Sequence, residues 1–129
     1  MSKSAESAMR LVRNLSELSQ DLVAEGIVVA SLHCEWSHFG SWVLEAQRGT
    51  AADAYGEALL ARQWDTPGPD VLRVAWDGRE KYLTIDSATT PPLSSSGPWS
   101  RQIEQSFDSS EAATRFVKEH LERWVRTEV

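Results

Sequence analysis

Cysteine is almost missing from this 129-residue chain. Cys34 stands alone, which excludes an intrachain disulfide and a cysteine-based metal cluster. A reducing compartment is the expectation. Long apolar runs are missing too. The longest, residues 27–30, falls far short of the ~20 residues a membrane helix needs, so no membrane partner is expected. The opening Met1-Ser2-Lys3-Ser4-Ala5-Glu6-Ser7 has no apolar stretch behind a basic start, so no secretory signal is expected and the location read from it is cytoplasmic. Basic patches are lacking: 13 Lys and Arg face 19 Asp and Glu, a net charge of −6 that disfavours a phosphate backbone as partner. The glycines at 40, 49, 56, 68, 78 and 97 are scattered, so no phosphate-cradling loop exists. Ser94-Ser95-Ser96 lacks the glycine frame of a nucleophilic serine.

With 41% hydrophobic and 25% charged residues, the chain has the composition of a folded protein. Its length suits one domain, expected over 1–129. Six tryptophans, at 36, 42, 64, 76, 99 and 124, supply large apolar surfaces, mostly for the core, with one or two free to act as binding anchors.

Ala8, Leu11, Leu15, Leu18 and Leu22 recur at helical spacing, with Val12 and Val23 beside them. They predict a helix over 5–25, capped by Ser4 and ended by Gly26. Residues 27–47 read as a hairpin turning at Ser37-His38-Phe39-Gly40, with Val28, Ala30, Leu32, Cys34 and Trp36 on one face and Ser31, His33 and Glu35 on the other. A helix is expected over 51–63, then a proline loop around Pro67 and Pro69. A second hairpin over 71–86 is expected to turn at Asp77-Gly78, a type I′ pair, with Leu72, Val74 and Trp76 sharing a face with Leu83 and Ile85. The Ser/Thr/Pro-rich stretch 87–100 reads as a loop, residues 101–107 as one further short strand, and 109–126 as a helix opened by Asp108-x-x-Glu111. The fold class is α+β: an antiparallel sheet from two hairpins with three helices, in the order α-ββ-α-ββ-(β)-α.

The densest polar cluster is His33, Cys34, Glu35 and His38. Neighbours on a strand point to opposite faces, so Cys34 belongs with Leu32 and Trp36 and is not a nucleophile paired to His33. His33 and Glu35 share a face, but two ligands are too few for a catalytic metal, and His38 joins them only if the turn folds over. No catalytic residue, metal or cofactor is therefore assigned. Acidic residues on loops near aromatic ones give the candidate partner-binding set, Asp65, Asp70, Asp77, Glu80 and Trp99, suited to a basic protein.

The run Val74-Ala75-Trp76-Asp77-Gly78-Arg79-Glu80-Lys81-Tyr82-Leu83-Thr84-Ile85, the Ser/Pro loop with Trp99 and the closing amphipathic helix resemble bacterial polymorphic-toxin immunity proteins of the small, tryptophan-bearing α+β type called TriTu. The resemblance covers residues 70–125. It implies a non-enzymatic protein that neutralises a cognate toxin domain, often a basic nuclease, and it transfers no site residues. Two other classes stay open: a dimeric protein like a secretion chaperone, using the leucine stripe of the first helix, and a small enzyme with its site near His33, Glu35 and His38.

Overall fold

The computed structural model describes residues 3–48, 71–88 and 99–126. Helix α1 (Lys3–Ala24) forms where the leucine stripe predicts it. Leu11, Leu15, Leu18 and Leu22 are all buried, each stabilising the fold by roughly 2 kcal/mol. Val12 and Val23, beside the stripe, are exposed. The helix is already running at Ser4, so that residue lies inside it, not at its cap. Gly26, at φ 88, ends it: Ile27 N donates to Leu22 O at 3.0 Å and Gly26 N to Val23 O at 3.0 Å, the left-handed closure that glycine adopts most easily.

Five strands follow: β1 (Val28–Glu35), β2 (Ser41–Gln47), β3 (Val71–Asp77), β4 (Tyr82–Ala88) and β5 (Ser100–Ser106). They form one antiparallel sheet in the order β1-β2-β3-β4-β5. Helix α2 (Ser110–Arg126) closes the described chain. This corrects the expected α-ββ-α-ββ-(β)-α with three helices. The two hairpins are joined by β2 pairing with β3 along six residues, from Trp42↔Trp76 to Gln47↔Val71. The fifth strand is a full member of seven residues. Among the described residues there are two helices, giving α-βββββ-α. The helix expected over 51–63 lies outside them.

Both helices pack on one face of the sheet. Trp42, Leu44, Leu72, Val74, Trp76, Leu83 and Ile85 point into that layer and meet the α1 leucines and Ala113, Val117, Leu121 and Trp124 of α2. The expected shared face of β3 and β4 is observed, with Trp76 opposite Leu83 and Val74 opposite Ile85. The turn is different. Asp77 pairs with Tyr82, so the connection is a four-residue loop, 78–81, and not a two-residue type I′ turn. The Asp77 carboxylate makes it by accepting from Arg79 N at 3.0 Å and Glu80 N at 3.1 Å, and Lys81 takes the left-handed conformation at φ 53.

Two further local differences have simple causes. A bulge at Ala30 shifts the pairing between Val29 and Ser31, so Val29, Leu32 and Cys34 face the helices while Val28 does not. Helix α2 is capped by Ser109, whose Oγ accepts from Ala112 N at 3.1 Å, one residue beyond Asp108. Arg48, buried after β2, fastens the far end of that helix. Its Nη1 donates to the Trp124 carbonyl, and its guanidinium lies 4.7 Å from the Trp124 ring centroid. No helix among the described residues is long and apolar enough to cross a membrane.

Candidate partner-binding surface

The helix-free face of the sheet is polar and ordered by charge. One row runs across all five strands as Ser31, Glu45, Arg73, Asp86 and Arg101. Alternating charge along a row favours this register, since directly opposed unlike charges attract. Arg101 meets Asp86 at 2.5 Å and Glu104 at 2.9 Å, and Glu104 accepts from Tyr82 Oη at 3.0 Å. That hydrogen bond pushes the Tyr82 phenol above its ordinary value.

At one end of this face the β1–β2 turn and the β3–β4 loop lock together. Gly78 N donates to Ser41 Oγ at 2.9 Å, and Ser41 Oγ reaches the His38 carbonyl at 2.7 Å. A Cβ on Gly78 would overlap the Phe39 carbonyl oxygen and lie 2.8 Å from its carbonyl carbon. Glycine is thus needed at 78 for close approach, not for an unusual φ. Phe39 carries the strain instead. Its φ of 60 is rare for a bulky residue, and its side chain is 66% exposed. The Arg79 guanidinium sits 5.8 Å from its ring centroid. Beside the pair is an open groove of about 530 Å³, floored by Ala75 and Thr84 and walled by Phe39, Arg79 and Tyr82. Nearby carboxylates are those of Asp77 and Glu80 at the β3–β4 loop, Glu35 at the end of β1, and Glu104 on β5, hydrogen-bonded to Tyr82. An exposed aromatic next to an arginine, on a strained loop above a groove, has the composition of a protein-binding anchor.

The sequence-derived set is not brought together as one site. Asp65 and Asp70 lie outside the described residues. Asp77 and Glu80 sit at the tip described above, with Asp77 also shaping its loop. Trp99 lies at the other end of β3, packed on Val71 and Ala88 with the Arg73 guanidinium 5.8 Å from its ring. Six residues of strand, about 20 Å, separate the two ends. Trp76 is buried in the core. Phe39 was read from sequence only as a turn residue, and nothing local marks its exposure.

The turn does fold over His38. Glu35 Oε1 accepts from His33 Nε2 at 2.9 Å and Glu35 Oε2 from His38 Nδ1 at 2.6 Å, with protons assigned by this network. The hydrogen bond from His33, then that from His38, holds the Glu35 carboxyl below its ordinary value. All three are exposed, and one nitrogen of each imidazole is engaged by its own Glu35 carboxylate oxygen. Among the described residues no group of three or more His, Cys, Asp or Glu is arranged to hold a metal ion. Cys34 points to the other face, where burial first and Glu35 second push its thiol up, away from the nucleophilic thiolate. No protein-family pattern, curated protein or solved structure matches the chain.

Proposed function

We propose that this chain is a non-enzymatic protein-binding module whose Phe39–Arg79 tip docks on a basic partner, and that it serves as an immunity protein neutralising a cognate toxin domain. The observation that carries the binding reading is Phe39. A bulky side chain held in the left-handed region and left 66% exposed costs stability, and a binding contact gives that cost a purpose. The rim carboxylates and the net charge of −6 favour a basic partner, steered at long range and sensitive to salt. A toxin whose cleft normally holds nucleic acid has that chemistry.

The toxin half of the proposal is tested by expression. A basic protein bound by this chain is expressed alone and then together with it. The expected outcome is growth arrest alone and relief on co-expression, with relief lost when the chain carries Phe39→Ala and Arg79→Ala. A bound partner that is harmless alone contradicts the immunity reading while leaving the binding surface standing.

A further inference from the structure

The groove beside Phe39 has a small floor, aromatic walls and one fixed carboxylate. Its floor is Ala75 of β3 and Thr84 of β4, which pair across the strands and leave depth above them. Phe39 of the β1–β2 turn and Tyr82 at the start of β4 wall it. The Tyr82 ring is held in place, because its Oη donates to Glu104 Oε2 at 3.0 Å. Asp77 lines the same groove. Its Oδ1 accepts from Arg79 N at 3.0 Å and Glu80 N at 3.1 Å, which fixes the carboxylate in the loop. Its Oδ2 has no hydrogen bond or ion pair among the described residues. The groove thus ends in a carboxylate oxygen that is already positioned and has no partner.

We infer that this groove receives a lysine or arginine side chain of the partner, seated between Phe39 and Tyr82 with its charged head on Asp77. The inference rests on the binding reading above and adds the chemistry of the anchor that the partner supplies. A long cation meets every part of the groove. Its methylene stem lies on the aromatic walls, and its head reaches Asp77 Oδ2 in a charge-assisted hydrogen bond. Other occupants fit less well. An anion would face Asp77 and, beside Tyr82, Glu104. An apolar side chain would strip water from the Asp77 carboxylate and give it no partner in return. The chain itself makes the aromatic half of the proposed contact, with the Arg79 guanidinium 5.8 Å from the Phe39 ring centroid. The like charges lining the groove are Arg79, which is exposed and screened by water, and His38 when protonated, which Glu35 offsets at 2.6 Å. The net charge of −6 then steers a basic partner at long range, and the groove gives one of its cations a seat.

The test needs no cognate partner. The peptide acetyl-Gly-Arg-Gly-amide and its lysine, leucine and glutamate analogues are titrated into the full chain through the millimolar range, with backbone amides followed by NMR. The arginine and lysine peptides are expected to give saturable shifts centred on Ala75, Asp77 and Thr84, and the leucine and glutamate peptides none there. Asp77→Asn keeps an oxygen for the two loop amides and removes the charge, so it should weaken binding about fivefold. Glu80→Gln removes the same charge outside the groove lining, and should leave binding within about twofold of wild type. Tyr82→Leu takes away one aromatic wall and should abolish the saturable shifts, with the amide signals of Leu44 and Val74 showing the fold intact. No saturable shift at Ala75 and Thr84, equal binding of the leucine peptide, or an affinity unchanged by Asp77→Asn overturns the inference. Such a failure concerns the groove alone, because loss of partner capture in Phe39→Ala/Arg79→Ala is a separate measurement.

Discussion

The carbonyl oxygen of Phe39 fills the space that a Cβ on residue 78 would take, so the β1–β2 turn and the β3–β4 loop meet backbone to backbone. Gly78→Ala is expected to force the two tips apart. The loss in stability should be about 1–3 kcal/mol, read by denaturant unfolding. Ser41→Ala removes only the bridging hydroxyl between Gly78 N and the His38 carbonyl, and should cost about 1 kcal/mol. Equal, negligible effects from both would show that the tips do not depend on each other.

Arg48 joins the end of β2 to the last turn of α2. Its charge faces the negative end of the helix dipole, and its guanidinium stacks on Trp124. Arg48→Met keeps the apolar stem and removes the hydrogen bond and the charge. Unfolding by denaturant should show a loss of about 2–4 kcal/mol, beyond what a surface arginine would give.

Much of this fold is written locally. The spacing of Leu11, Leu15, Leu18 and Leu22 with Gly26 behind them defines α1, and the alternation in 71–86 assigns the faces of β3 and β4. What was illegible is non-local. The pairing of β2 with β3 joins residues separated by a long stretch of chain, and no turn signal encodes it. Asp77-Gly78 has the composition of a type I′ turn, yet the Asp77 side chain closes a longer loop, and Gly78 answers to the Phe39 backbone instead. The Ala30 bulge shifts the faces of the first half of β1 against a simple alternation. The binding set fails for the same reason. Asp77 and Trp99 were grouped by their loops in sequence, and the sheet puts them at opposite ends. Phe39 and Arg79, far apart in sequence, are brought together by the docking of two tips.

His120 supplies a pH signature. It stacks on Phe116 with ring centroids 5.9 Å apart, and burial first, Arg123 second, push its imidazole below the ordinary value of 6.5. A histidine with a lowered folded pKa binds fewer protons than the unfolded chain in the window just below 6.5. Stability should therefore fall as pH drops through that window and level off below the folded pKa. Thermal unfolding of wild type and His120→Gln across pH should show this slope in wild type and its loss in the variant.

Glu35 gives a second, local signature. Its carboxyl is held low by His33 and then His38, so the contribution it makes is present above the ordinary carboxylate range and lost as pH falls through its lowered folded value. Carbon-detected NMR titration should place Glu35 below its ordinary value. His33→Ala with His38→Ala should return it to the ordinary value. A Glu35 that already titrates normally in wild type would mean the two imidazoles do not hold it in solution.

The chain is proposed to bind a basic protein through its Phe39–Arg79 tip. The most direct measurement is affinity capture at low salt from lysate of the native cells, run in parallel with wild type and with Phe39→Ala/Arg79→Ala. The account predicts one stoichiometric basic partner on wild type, released as salt rises and missing from the double variant, which stays folded because both side chains are exposed. A partner retained equally by the double variant, or no stoichiometric partner on wild type, would contradict it.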